Sequence, residues 1–191
     1  MADTLEFPLP PGYALRPNRA DSRSDEEERT LIYEARDGNR PAFGRLYERY
    51  SRMVHAIVLA RVPRCEVDDL VQDVFMLALR RLPTLRQPEA FGGWLAMIAR
   101  NRATDYLRTA RDTSELDDAV ARMNPPSPEA VVAMDAIREL PDAYKETLMM
   151  RLVEGMTGPE IAERTGMTHD SVRVNLHRGM KQLREKLGGS Q

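Results

Sequence analysis

Apolar side chains recur every three or four residues through most of the chain, which is the spacing of one face of an α-helix. The clearest run lies near the C-terminus, at Val172, Leu176, Met180, Leu183 and Leu187. Similar runs occupy much of residues 26–111. Because no segment alternates apolar and polar positions with β-branched residues, the pattern predicts no sheet and an all-α fold.

Turn-forming residues and changes in composition divide the chain into four parts. Residues 1–25 carry four prolines and no periodic pattern, so we expect a disordered tail. Residues 26–111 and 130–191 carry the helical patterns, which predict two small helical domains. Residues 112–129 are acidic and contain Pro125, Pro126 and Pro128, as is typical of an extended linker.

The C-terminal part contains the signals of a helix-turn-helix. Thr157 and Glu160 have the spacing of a capping box at the start of a short helix. Gly166 is suited to the left-handed conformation that ends such a helix, and Thr168 can cap the long helix that follows. In a helix-turn-helix the second helix enters the major groove of DNA, so this part of the chain is predicted to read DNA.

The charge distribution fits localised contacts with DNA. The formal net charge is −2, which argues against indiscriminate binding to nucleic acid through bulk charge. However, residues 98–111 carry four basic side chains and one acidic, and residues 171–187 carry five basic and one acidic. Two basic helices on either side of an acidic segment suit two separate contacts with DNA.

Other features limit the class of protein. Cys65 is the single cysteine, so no disulfide within the chain is possible and a reducing cytoplasm is expected. There is no apolar run of 18 residues and no signal-peptide pattern, so no membrane insertion is expected. His55, His169 and His177 show no metal-binding spacing, and there is no phosphate-binding glycine loop or nucleophile–base pair. The sequence predicts no metal, no cofactor and no enzyme.

Three motifs then occur in a recognisable order. They read DDLVQDVF at 68–75, FGGWLAMIARNRATDYLR at 91–108, and VRVNLHR at 172–178, the last preceded by Leu140-Pro141. Together they resemble the extracytoplasmic-function (ECF) sigma factors of the sigma-70 family, over about residues 28–187. The resemblance implies region 2 at 26–111 and region 4 at 130–191. It also implies a subunit that binds core RNA polymerase, recognises the −10 and −35 elements of promoter DNA, and is silenced by an anti-sigma factor.

The resemblance assigns the helix after Asp68 to polymerase docking. Carboxylates and an amide on one side of that helix suit arginine and glutamine partners, although a solvated acidic face over a buried stripe would look the same. The predicted polymerase-binding residues are Asp69, Leu70, Gln72, Asp73 and Phe75, of which Leu70 and Phe75 can support the polar side by packing.

Two further helices are assigned to DNA by the same resemblance. Arginines can hold phosphates and an asparagine can bind an exposed base edge. The predicted −10 residues are Arg100, Asn101, Thr104 and Arg108, and the predicted −35 residues are His169, Ser171, Arg173, Asn175, Arg178 and Lys181. Trp94 fits either a base-stacking platform or the core.

Two other readings stay open at this point. A stand-alone helix-turn-helix regulator would explain the C-terminal helices, but it leaves residues 68–75 and the polar side of 100–108 without a role. It would also favour a dimer on a palindrome. A decoy that binds a regulator but never DNA is disfavoured by Arg173, Arg178 and Lys181 on the recognition helix.

Overall fold

The computed structural model describes residues 22–113 and 128–188, and every regular element in these ranges is helical. The all-α prediction is therefore confirmed for this part of the chain. The first range contains α1 (Ser22–Arg36), α2 (Arg40–Leu59), α3 (Val67–Arg81) and α4 (Phe91–Thr113). The second contains α5 (Pro128–Arg138), α6 (Asp142–Leu148) with a π-helical turn at Met149–Val153, α7 (Gly158–Thr165) and α8 (His169–Gly188).

Helices extend a few residues beyond the predicted domain boundaries. α1 begins at Ser22, so residues 22–25 of the predicted disordered tail are helical. The first turn of a helix needs no apolar residue, and Asp25 in that turn is exposed and complements the helix dipole. α4 continues to Thr113 and α5 starts at Pro128, where proline fits the first turn, so the predicted linker of 112–129 is helical at both ends. The rest of the predicted tail and linker lies outside the described residues.

The turn between α1 and α2 follows from its sequence. Gly38 has φ +95°, a left-handed conformation that glycine adopts without strain. Asn39 then caps α2, because its side-chain oxygen accepts a hydrogen bond of 3.2 Å from the Ala42 N–H.

The core of the first domain lies between α2 and α4. Tyr50 and Phe91 are fully buried, with ring centroids 5.0 Å apart in an edge-to-face arrangement. Trp94 is half-buried at the edge of this core, 5.7 Å from the Phe91 ring. Its contacts favour the core interpretation over the base-stacking one.

The second domain packs directly on the first. Its helix-turn-helix is held together by Ile161, Val172 and Leu183, which are buried. These residues and the core of α1 to α4 belong to one continuous cluster of buried apolar side chains. The two predicted domains are therefore docked against each other.

Candidate polymerase and DNA interfaces

The outer side of α3 carries the polar residues predicted to bind the polymerase. Asp69, Gln72 and Asp73 are exposed. Leu70 and Phe75 are only 5% and 4% exposed, so they support this surface from beneath by packing and do not form part of it. This packing role is the one that the sequence predicts for Leu70 and Phe75, although the sequence analysis also counts them among the polymerase-binding residues.

Two exposed apolar side chains extend the α3 surface. Met76 lies one helical turn after Gln72 and Asp73 and is 49% exposed. Tyr47 of α2 is 44% exposed, and its ring lies 4.5 Å from that of Phe75. Sequence reasoning missed both residues, although the i+4 spacing from Gln72 could have indicated Met76. The surface therefore combines acidic groups with an apolar patch.

The polar side of α4 brings three of the four predicted −10 residues to the surface. Asn101, Thr104 and Arg108 are exposed. The Thr104 hydroxyl donates to the carbonyl of Arg100 at 2.9 Å, and Arg108 pairs with Asp105 at 3.1 Å. Arg102, on another side of α4, pairs with Asp73 of α3.

Arg100, the fourth predicted −10 residue, is engaged by the second domain. Its Nε and Nη2 atoms donate to the two carboxylate oxygens of Glu146, each at 2.8 Å. Arg61 binds the same carboxylate through Nη2 at 2.6 Å. Glu146 lies on α6, so the two arginines connect the domains.

Further charged contacts surround this connection. We call all the contacts between the first domain and the second the docking interface. In it, Arg49 binds Glu163 at 2.7 Å, and His55 Nδ1 lies 2.6 Å from a carboxylate oxygen of Glu154. Burial alone would raise the pKa of the Glu163 carboxyl, but the charge of Arg164 and the hydrogen bond from Arg49 hold this pKa below its ordinary value.

The docking interface also includes a close approach of backbones. An added Cβ at Gly92 of α4 would lie 2.3 Å from the carbonyl oxygen of Arg164 in α7. Only glycine allows this contact without a shift of one helix. None of these contacts was predicted from the sequence, since their partners are about 50 to 110 residues apart along the chain.

The helix-turn-helix has the local geometry that its sequence predicts. The N–H of Glu160 donates to the Thr157 hydroxyl at 3.3 Å, and the Glu160 carboxylate accepts from the Thr157 N–H at 2.6 Å. Gly166 has φ +72°. The Ser171 N–H donates to the Thr168 hydroxyl at 3.1 Å, which caps α8. The capping box, the left-handed glycine and the Thr168 cap are confirmed.

Helix α8 presents most of the predicted −35 residues to solvent. Gly179 faces α6, where an added Cβ would lie 3.1 Å from the Leu148 side chain. This contact fixes which side of α8 is buried. His169, Arg173, Arg178 and Lys181 are exposed, whereas Ser171 and Asn175 are half-buried. The Ser171 hydroxyl accepts a hydrogen bond from Thr168, so it also belongs to the helix cap.

Comparison with known proteins relates these surfaces to a family. The model of Sigma-70 region 2 matches residues 46–113, and that of Sigma-70 region 4 matches residues 130–183. RNA polymerase sigma factor CarQ of Myxococcus xanthus is 32% identical over 164 residues, which cover 80% of this chain and 93% of CarQ. ECF RNA polymerase sigma factor BldN of Streptomyces coelicolor is 30% identical, over 80% of this chain and 63% of BldN. The chain belongs to the ECF sigma factors of the sigma-70 family.

Solved structures agree with this assignment. The structure of CnrH in complex with the cytosolic domain of CnrY matches the sigma factor with a TM-score of 0.58 and 26% identity. The match covers 86% of this chain and 99% of CnrH. The chain spans less than two thirds of the length of BldN, whereas it spans nearly all of CarQ. In the family's terms, α3 and α4 belong to region 2, and α5 to α8 to region 4.

Neither a metal-binding cluster nor a membrane-spanning helix occurs among the described residues. Within 22–113 and 128–188, no group of three or more histidine, cysteine or acidic side chains could hold a metal ion. In the same ranges, no helix of the sigma factor is both long and apolar enough to cross a bilayer.

Proposed function

We propose that this sigma factor binds core RNA polymerase and directs initiation at promoters with defined −10 and −35 elements. The observation that carries the proposal is the order of the two matched modules, region 2 and then region 4, each with exposed polar residues on the helix predicted to bind its partner. The exposed side of α3 contacts the polymerase, α4 contacts the −10 element, and α8 reads the −35 element. The protein acts in the cytoplasm and performs no chemistry itself, since the polymerase forms the phosphodiester bonds.

The net charge of −2 supports a model in which the sigma factor needs the polymerase to bind DNA tightly. A chain with little excess positive charge binds free DNA weakly through its phosphates. Joining two weak contacts within one complex raises their combined affinity. By holding both DNA-binding helices in one complex, the polymerase therefore raises the combined affinity of the two promoter contacts.

An anti-sigma factor is the third proposed partner. Its support is the likeness to CnrH, whose structure was solved in complex with the cytosolic domain of CnrY. A partner of this kind would bind the sigma factor in place of the polymerase and DNA.

The test is co-elution of the full-length protein with bacterial core RNA polymerase, followed by transcription from a pool of promoter fragments. We expect a stable complex and initiation at a discrete set of promoters. Asp69→Arg, which reverses an exposed charge on α3, should weaken the complex while leaving the helical content unchanged. If the protein formed no complex and bound a palindromic duplex tightly by itself, it would be a stand-alone regulator.

A further inference from the structure

Two arginines of region 2 converge on one carboxylate of region 4. We propose that Arg61 and Arg100 form a binding site for a phosphate of promoter DNA, and that Glu146 occupies this site while the two regions are docked. The inference rests on the proposed function, because it assigns the DNA contact to region 2. It adds Arg61, which sequence reasoning did not consider, and it gives Glu146 the role of an internal competitor.

The geometry is that of a site for an anion with several oxygens. Arg61 Nη2 and Arg100 Nε both donate to Oε1 of Glu146, at 2.6 and 2.8 Å, while Arg100 Nη2 donates to Oε2 at 2.8 Å. Because they share one acceptor oxygen, the two guanidinium groups lie side by side. A planar guanidinium binds carboxylate and phosphate with the same paired hydrogen bonds. The Glu146 carboxylate therefore stands in for a phosphodiester group.

The site is held in place by region 2 itself. The Nη1 atom of Arg61 donates to the carbonyl of Ile57 in α2 at 3.1 Å, a contact that lies within region 2 and does not depend on docking. Arg100 lies on α4, whose core side is fixed by Leu95 and Ala99. An arginine held in position loses less conformational entropy when it binds an anion than a free one does.

Undocking removes two carboxylates from the neighbourhood of these arginines. Glu146 is nearly buried at 9% exposure, and Asp142, also on α6, lies 3.2 Å from Arg61. When α6 moves away, both carboxylates leave together. The loss of two negative charges beside two guanidinium groups favours a replacement anion at the position of Glu146.

The position of the site suits a strand that runs along α4. Arg100, Thr104 and Arg108 follow one another at intervals of four residues on the same side of the helix. Arg100 and Arg108 are thus about 12 Å apart along the helix axis, so one strand of DNA can reach both. A phosphate between Arg61 and Arg100 would therefore lie at one end of the predicted −10 contact. Docking closes that end, so docking and DNA binding exclude each other at this site.

The test measures binding of the free full-length protein to a single-stranded oligothymidylate of about 20 nucleotides, because a phosphate contact needs no particular base. Fluorescence anisotropy is recorded over a range of salt concentrations. Glu146→Gln removes the competing charge while keeping the side-chain size, and we expect binding about tenfold tighter than for the wild type. In that background, Arg61→Gln should remove the gain and reduce the slope of log affinity against log salt by about 0.7, the value for one phosphate of a single strand.

Two further variants make the result specific. Arg100→Gln in the Glu146→Gln background should reduce the salt slope by the same amount, which provides a second test should the Arg61 variant fold poorly. Arg138→Gln is the matched control, since Arg138 also crosses the docking interface but binds the carbonyls of Leu59 and Val62. In the Glu146→Gln background, where docking is already weakened, it should leave the slope unchanged.

The proposal is overturned if Glu146→Gln binds no more tightly than the wild type, or if folded Arg61 and Arg100 variants keep the full salt slope. Either result would reject the anion site without touching the proposed function, which depends on transcription with core polymerase. Conversely, a wild-type protein that failed to bind the polymerase would overturn the proposed function. The oligothymidylate series would still report on the anion site, because it uses the free protein.

Discussion

Replacing Gly92 by alanine should open the docking interface while leaving both regions folded. The added Cβ would lie 2.3 Å from the Arg164 carbonyl oxygen and 3.2 Å from the carbonyl carbon, and both atoms belong to the backbone of α7. Real Cβ atoms do not approach backbone this closely, so α4 and α7 must separate. The cheapest separation is between the regions, since the closest atom, at 2.3 Å, belongs to α7, whereas Tyr50 Cε1 of region 2 lies at 3.2 Å.

The change in the docking equilibrium can be worked out from the free-energy cost of overpacking a buried contact. An extra methyl group forced into a packed contact costs about 1–3 kcal/mol. A penalty of this size on the docked state alone changes the ratio of docked to undocked molecules by about 5- to 150-fold. The ion pairs between Arg49 and Glu163 and between Arg100 and Glu146 should be lost in the same step, because both span the interface.

The assay is energy transfer between a dye on Cys65, which is exposed, and a dye on a cysteine introduced by Val132→Cys, an exposed position of α5. Gly93→Ala is the matched control, since its Cβ would lie 3.8 Å from the Thr165 carbonyl oxygen, an ordinary contact distance. We expect reduced transfer for the Gly92 variant and wild-type transfer for the Gly93 variant. Equal transfer in the two variants, with equal helical content, would refute the reasoning.

Two other predictions concern acid and promoter choice. Burial raises the pKa of Glu163, whereas Arg164 of the same helix and Arg49 of region 2 lower it below its ordinary 4.5, and only the Arg49 contribution is lost on undocking. The part of docking that Arg49 stabilises is therefore present above 4.5 and lost as pH falls through the lowered pKa. Energy transfer should fall in this window, and Glu163→Gln should remove that part of the acid response. Arg173, exposed near the start of α8, should contribute about 1–3 kcal/mol of base discrimination if it binds a guanine. Selection of −35 sequences from a random pool should show one relaxed position for Arg173→Ala, and an unchanged profile would show that Arg173 reads no base.

The helices and their caps could be predicted because their causes are local. Thr157 with Glu160, Gly166 and Thr168 each act on backbone groups within a few residues, so their sequence spacing carries the information. The same holds for the turn at Gly38 and Asn39. The helix ends at Ser22 and Thr113 could not be predicted in this way, because no apolar spacing marks them.

The sequence could predict the candidate sites within each region, but not the contacts between the two regions. Spacing placed Arg100 on the polar side of α4 with Thr104 and Arg108, and all three do share that side. It could not show that Glu146, 46 residues away, binds Arg100, because ion pairs between distant segments leave no periodic signal. The close contact of Gly92 could not be predicted either, because it depends on the backbone of a helix that lies 72 positions further along the chain.

Salt should change the apparent DNA affinity of the wild-type protein in two opposing ways, because it weakens docking and also weakens the phosphate contacts. Several docking contacts are partly exposed ion pairs, such as that of Arg49 with Glu163, whose side chain is 40% exposed, and salt weakens such pairs. Raising salt therefore increases the undocked fraction while it weakens each phosphate contact. Apparent affinity is the intrinsic affinity multiplied by the competent fraction. The wild type should accordingly show a shallower salt slope on oligothymidylate than Glu146→Gln, in which docking is already weakened. Parallel slopes would mean that docking and phosphate binding are independent.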